Sequence, residues 1–178
     1  MTGDQIESLI RKKRISKQNL SDVVSFNYKK PLVGVFLDTK LHPKDEESLK
    51  GLFEGIANLG VEVVVLADTN LNFFRSHGAK VLPYSRKSRK LLLEASDMAL
   101  SFSFNDVHEM FLYGIVPVTG ERPEVANYNP THETGNSFVY KKENPWCIYA
   151  ALVRALETYK FPYDWKSIIH SAIDSIED

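Results

Sequence analysis

The sequence has 178 residues, of which 43% are hydrophobic and 25% charged, so it is long enough to bury a core without disulfides or metals. Its formal net charge of −1 argues against a dedicated nucleic-acid or anionic-membrane surface, and no apolar run approaches membrane-spanning length. The one cysteine, Cys147, cannot form an internal disulfide and falls on the apolar side of a predicted helix, which favours a buried thiol. With an N-terminus that lacks a signal-peptide core, these features favour the cytoplasm.

Short apolar runs alternate with helical periodicity along the chain. The opening 30 residues predict one or two helices packed on the outside of a sheet. Strands are predicted over residues 31–37, 61–67, 80–84, 97–103, 115–119 and 137–140. Helical patterns separate most of them, and two amphipathic helices close the chain. Strands separated by helices form a parallel, doubly wound sheet, so we expect an α/β fold with about six strands and helices on both faces, as a single domain over residues 1–178.

The candidate site lies where the predicted strands end, because doubly wound sheets bind ligands beyond the carboxyl ends of their strands. These ends fall at residues 37–39, 67–68, 101–103 and 118–120. A long loop follows the last of these positions, over residues 120–136, and loops of that length are usually functional or mobile.

Few residues at these ends offer chemistry. Lys40 and Lys44 follow the first strand, where they either contact a phosphate or are surface lysines at a helix entry. Glu109 opens a short helix, where its carboxylate either accepts hydrogen bonds from ribose or favours the positive helix end. Thr119 and Gly120 end a strand and can offer backbone N–H groups to an anion.

Several other kinds of site lack support in the sequence. The stretch after the first strand, DTKLHPK, has no glycine, so the dinucleotide fingerprint and the P-loop are both absent. The five histidines show no metal-ligand spacing, and no nucleophile elbow supports a catalytic triad. The run SRKSRK, over residues 85–90, is interpreted as a solvated helix face. We therefore predict no metal, no cofactor and no catalytic residue.

Motifs in the chain nevertheless follow a familiar order. They are KPLVGVF followed by Lys44, YSRKSRKLLLEASDMALS, EMFLYGIVPVTG, NYNPTHETGNSFVY and YAALVRALETYKFPYDW. In order and spacing, residues 12–172 resemble the C-terminal nucleotide-sugar-binding domain of bacterial glycogen and starch synthases. These are retaining glucosyltransferases of the GT-B type, in which two Rossmann-like domains face each other across a cleft. The resemblance implies that Lys44 contacts phosphate, that Glu109 contacts ribose and that Thr119-Gly120 belongs to a phosphate-binding loop.

Departures from the family pattern limit what the resemblance implies. The family places an arginine just after its first strand, and this position is Asp38, whose charge repels an anion. The family also has two glutamates seven residues apart, of which Glu109 matches the second, while the segment before it is too short to supply the first. One glycine of the family's Gly-Gly loop is replaced as well, leaving Thr119-Gly120-Glu121. Little then remains to position substrate or neutralise a departing diphosphate.

Two functions are therefore expected. In the first, the chain is inactive alone and acts as a nucleotide-sugar or partner-binding module in glycan metabolism, with weak binding of an ADP- or UDP-type nucleotide. In the alternative, it is half of a split glucosyltransferase that a separately encoded N-terminal domain completes. Neither involves nucleic acid or a membrane.

Overall fold

The computed structural model describes residues 2–37, 43–67, 72–102 and 105–177. Its described strands form one sheet in the order β3-β2-β1-β4-β5-β6, and each neighbouring pair is parallel. The strands are β1 Leu32–Leu37, β2 Glu62–Ala67, β3 Lys80–Pro83, β4 Met98–Ser101, β5 Val116–Gly120 and β6 Phe138–Tyr140. The predicted Rossmann-like sheet is confirmed, and its order reverses between β1 and β4.

Helices cover both faces of the sheet, as predicted. They are α1 Gly3–Val24, α2 Pro43–Ile56, α3 Asn72–Ser76, α4 Arg86–Ala95, α5 Val107–Leu112, α6 Pro145–Tyr159 and α7 Pro162–Glu177. Alternate residues of β1 reach opposite faces, because successive strand side chains point in opposite directions. Val33 and Val35 join the apolar cluster that includes residues of α2, α6 and α7, whereas Leu32 and Phe36 join the cluster that includes residues of α1, α4 and α5. Both faces of the central strand are therefore buried.

The opening segment forms one long helix, α1, which is fixed to the sheet by buried charge. Lys17 donates hydrogen bonds to Asp97 (2.5 Å) and to the carbonyl of Lys30 (3.1 Å), and Asp97 also accepts from the N–H of Leu32 (2.8 Å). Lys13 donates to the carbonyl of Ser96 at 2.6 Å. These bonds lie at the amino ends of β1 and β4, opposite the predicted ligand edge.

The long loop after β5 is held in place by side-chain hydrogen bonds. Asn136 accepts from the N–H of Ala126 (2.8 Å) and donates to the carbonyl of Glu124 (3.1 Å). The hydroxyl of Tyr128 donates to the carboxylate of Asp164 in α7 at 2.9 Å. Burial, and after it this hydrogen bond, raises the pKa of Tyr128 to about 12. The loop is thus fastened to itself and to the last helix. Within the described ranges, no helix has the length and apolar character needed to span a bilayer.

Candidate functional site

The carboxyl ends of β1 and β4 meet at the point where the strand order reverses, and Asn105 joins them. Its side chain accepts from the N–H of Phe102 (2.9 Å) and donates to the carbonyl of Phe36 (3.1 Å). Arg122, in the loop after β5, donates to the carbonyls of Asn105 (2.9 Å) and Phe102 (2.7 Å). These two polar side chains hold the backbone around the edge where this fold binds ligands.

Glu109 lies in the first turn of α5, and both of its carboxylate oxygens face Arg89. The two guanidinium nitrogens of Arg89 each donate to one oxygen of Glu109 at 2.5 Å. The pair is partly buried, with 25% and 30% of the two side chains exposed. Arg89 also lies near Phe36, with its guanidinium carbon 6.0 Å from the ring centroid. Such a bidentate pair occupies the carboxylate in a fixed geometry.

Arg89 therefore departs from the interpretation of residues 85–90 as a solvated helix face. Arg86, Lys87 and Lys90 are exposed, as expected, but Arg89 is not. The sequence contained one usable signal, because Ser85 is an N-cap whose hydroxyl accepts from Ser88, which fixes the start of α4 and brings its first turn to the carboxyl edge. The direction of the Arg89 side chain depends on packing against α5 and β1.

Thr119 and Gly120 are the last two residues of β5. Thr119 is fully buried and is paired with Ser101 of β4 and Val139 of β6, so its backbone lies within the sheet. The hydroxyls of Thr119 and Ser101 are both buried and have no hydrogen-bond partner among the described residues. A buried polar group left in this state costs roughly 1–3 kcal/mol. Gly120, one residue further, reaches the surface.

A cavity of about 450 Å³ opens beyond the carboxyl ends of β5 and β6. We call it the carboxyl-edge cavity; it is lined by Gly120, Glu121, Arg122, Pro123, Glu124, Tyr140, Lys141 and Glu143. Three of these side chains are carboxylates and two are cations, which leaves one excess negative charge. Thr119 and Glu109 are not in its lining, so among the predicted residues that the structure fully describes, only Gly120 reaches this cavity. An excess of carboxylate disfavours a diphosphate.

Two positions from the sequence interpretation lie outside the described residues. Asp38 and Lys40 belong to the undescribed stretch after β1. Lys44 lies in the first turn of α2, which begins at Pro43 as expected, but its side chain is also outside the described part. Among the side chains that are described, no group of three or more histidine, cysteine, aspartate or glutamate residues is arranged to hold a metal ion.

Comparison with solved structures identifies the fold. The catalytic domain of starch synthase IV from Arabidopsis thaliana, bound to ADP and acarbose, superposes with a TM-score of 0.71 at 19% identity, over 90% of this chain and 38% of that one. HepE from Anabaena, in complex with UDP and glucose, superposes with a TM-score of 0.61 at 16% identity, over 92% of this chain and 47% of HepE. A UDP-GlcNAc 2-epimerase from Neisseria meningitidis, bound to UDP-GlcNAc, superposes with a TM-score of 0.54 at 12% identity, over 98% of this chain and 52% of the epimerase. No protein-family model matches the sequence.

The chain therefore has a Rossmann-like α/β fold of the kind found in GT-B glycosyltransferases. It spans between about two fifths and one half of the length of these structures, which corresponds to one half of such an enzyme. At these identities the likeness extends to the fold, and ligand and activity require arguments from this chain's own residues.

Proposed function

We propose that the chain is a domain of the glycogen and starch synthase type that transfers no sugar by itself and binds an ADP- or UDP-type nucleotide or nucleotide sugar weakly at its carboxyl edge. In glycan metabolism it would act as a binding or docking module for such a ligand or for a protein partner. The observation that carries the proposal is the Arg89–Glu109 pair. The carboxylate that the family resemblance assigns to ribose already accepts two charge-assisted hydrogen bonds within the chain.

Two further observations support weak binding without transfer. The carboxyl-edge cavity has more carboxylates than cations, and the position where the family has an arginine is Asp38. Losing a bidentate arginine removes a contact worth roughly 1.5–3 kcal/mol. We therefore expect dissociation constants for ADP or UDP on the order of 0.1–1 mM or poorer.

A second candidate function is half of a split glucosyltransferase. It is favoured by the alignment, which covers 38% of the plant synthase and 47% of HepE while using about nine tenths of this chain. A separately encoded N-terminal domain would then complete the cleft. Adding such a domain to the assay below would restore transfer in this case and leave it absent in the first.

The activity test is transfer of labelled glucose from ADP-glucose to glycogen by the chain alone. We expect no turnover above a blank without protein, because positioning and charge neutralisation supply most of the catalysis in this reaction. Turnover that exceeds the blank and disappears in Glu109→Ala would contradict the proposal.

The binding test is calorimetric titration of ADP into the wild type and Asp38→Arg. If the position corresponds to the family arginine, the substitution should tighten binding about tenfold or more. Asp22→Arg is the matched control, because it makes the same charge change on an exposed residue near the end of α1 and should leave the affinity unchanged. A folded Asp38→Arg protein with unaltered affinity would show that the ligand pocket is assigned wrongly.

A further inference from the structure

A second cavity lies at the amino edge of the sheet, opposite the predicted nucleotide site. It has a volume of about 340 Å³ and is bounded by α1, the segment before β1, the start of β4, and α6 and α7. Lys13, Arg14, Lys17, Lys29 and Asp97 supply its charged side chains. We call it the amino-edge cavity. Its size is at the lower end of the range for sites that hold small molecules.

The carboxylate in this cavity already has partners within the chain. Asp97 accepts hydrogen bonds from the ammonium of Lys17 and from the N–H of Leu32. Burial raises the pKa of Tyr159 above its usual range, and the nearby carboxylate of Asp97 raises it further, so the hydroxyl stays protonated. Asp97 and Lys17 thus compensate each other, and the remaining charge comes from the other cations.

Those cations are poorly compensated within the described residues. Lys13 is only 5% exposed, and its ammonium donates a hydrogen bond to a neutral group, the carbonyl of Ser96. Burial lowers its pKa to about 8, against the attraction of Asp97 and of Glu94 on α4. Arg14 and Lys29 are exposed at the cavity, and no described carboxylate forms an ion pair with either. Glu94 attracts Lys13 from outside the cavity lining and is itself paired with Lys90, so Lys13, Arg14 and Lys29 leave an excess of at least two positive charges.

The rest of the cavity wall is aromatic and apolar. Trp165 is 6% exposed and meets Tyr159 edge to face, with the ring centroids 5.0 Å apart. Tyr28 and Ile169 also line the cavity. A ring-shaped or apolar body can pack against these side chains while its charged end reaches Lys13.

We propose that the amino-edge cavity binds a small organic phosphate, with the dianionic phosphate group at Lys13, Arg14 and Lys29 and a ring or apolar body against Trp165 and Tyr28. A phosphate monoester carries a charge of about −1.5 to −2 near neutral pH, which matches the excess positive charge. Such a ligand would compensate a buried ammonium that otherwise costs free energy of folding.

Trp165 provides a direct readout of binding. The sequence has two tryptophans, and the other, Trp146, is 81% exposed, so Trp146→Phe leaves Trp165 as the single reporter without disturbing the core. In this background, phenyl phosphate should change the fluorescence saturably with a dissociation constant below about 1 mM. Inorganic phosphate should bind more weakly, and phenol should give no saturable change, because each lacks one part of the ligand.

Paired variants test the charge assignment. Arg14→Gln/Lys29→Gln should weaken phenyl phosphate binding about tenfold or more, since it removes two charge-assisted contacts. Arg11→Gln/Lys12→Gln is the matched control, because it also removes one arginine and one lysine, from exposed positions of α1 that do not line the cavity. The control should bind within about twofold of the parent.

Three outcomes would overturn the proposal. They are the absence of saturable binding up to about 10 mM phenyl phosphate, equal weakening in both double variants, and unchanged affinity in Arg14→Gln/Lys29→Gln. All four substituted side chains are exposed, so the variants should fold, and circular dichroism checks this. Because the probe has no nucleoside and the reporter is at the amino edge, the result is independent of nucleotide binding at the carboxyl edge.

Discussion

Arg89 is the single residue that most changes the character of the carboxyl edge. It lies in the first turn of α4, where its guanidinium donates two hydrogen bonds to Glu109 and has its central carbon 6.0 Å from the ring centroid of Phe36. Glu109 alone would present a free carboxylate at the end of a short helix. Paired with Arg89, it forms a neutral, bidentate unit that links α4 to α5.

A double-mutant cycle on Arg89→Gln and Glu109→Gln measures this pair. Because the two side chains remain 25% and 30% exposed, we expect a coupling free energy of about 1 kcal/mol from urea unfolding, well below that of a fully buried pair. The control is the pair Lys90 and Glu94 on the same helix, whose Nζ and Oε1 atoms are 3.8 Å apart. Its coupling free energy should be about 0.5 kcal/mol or less. Equal coupling in both pairs would mean that the Arg89 contact has no special role.

The buried hydroxyl of Thr119 gives a second prediction. Thr119→Val keeps the shape of the side chain and removes a polar atom that has no partner among the described residues, so the free energy of unfolding should stay level or rise by up to about 1 kcal/mol. Ser137→Ala is the contrasting control, because the Ser137 hydroxyl donates to the carbonyl of Ala126 at 3.0 Å, and it should lose about 1 kcal/mol. A loss in Thr119→Val as large as that in the control would indicate a partner for the hydroxyl.

Among the elements, β1 and the end of α4 come very close to each other at Gly34, where β1 has no side chain. A Cβ added at Gly34 would lie 2.4 Å from the Oγ of Ser96 and 3.0 Å from a ring carbon of Phe36. Ser96 ends α4 and donates its hydroxyl to the carbonyl of Leu92 at 2.7 Å, so it has little freedom to move. The glycine in the first strand therefore allows α4 to approach the sheet.

Gly34→Ala tests this approach. We expect a loss of roughly 1–3 kcal/mol in the free energy of unfolding, because overpacking forces the helix cap away from the strand. The double variant Gly34→Ala/Ser96→Ala removes the closest atom and should lose less than the sum of the two single changes. Gly3→Ala, whose added Cβ meets nothing within 4 Å, should stay within about 0.5 kcal/mol of wild type. A Gly34→Ala protein as stable as this control would refute the close contact.

Across the whole molecule, charge fixes the one helix that precedes the sheet in sequence. α1 reaches the amino ends of β1 and β4 through Lys13 and Lys17 rather than through a wide apolar stripe. Removing two ammonium groups from water is costly, and Asp97 compensates only part of that cost. The attachment of α1 should therefore depend on pH.

Lys13 makes that dependence measurable. Its folded pKa, about 8, lies below the ordinary 10.5, so between these values the unfolded chain binds more protons and stability rises with pH. The unfolding free energy of the wild type, taken relative to Lys13→Met, should rise by about 2 kcal/mol between pH about 8 and about 10. Lys12→Met, on the exposed side of α1, should show no such trend. A flat difference for Lys13→Met would contradict the buried position of the ammonium.

The sequence by itself determined the order of the elements and the type of sheet. The apolar runs that predicted strands contain five of the six described strands, and β5 extends one residue beyond its predicted run, to Gly120. The central strands were the easiest to predict, because a strand buried on both faces must be continuously apolar. From β1 to β5, a helix lies between each two consecutive strands, and such connections favour parallel pairing, whereas β5 and β6 are joined by the long loop. The likeness to one half of a GT-B enzyme also came from motif order along the chain.

The tertiary structure alone decided which side chains meet. Arg89 and Glu109 are 20 residues apart, Arg122 and Phe102 are 20 apart, and Lys17 and Asp97 are 80 apart. Spacing along the sequence gives no sign of such pairs, since each depends on where two separate elements pack against the sheet. Glu109 was therefore found from sequence as a candidate, but its partner was not. For the same reason the sequence shows no sign of the amino-edge cavity, whose walls come from α1, the segment before β1, the start of β4, and α6 and α7.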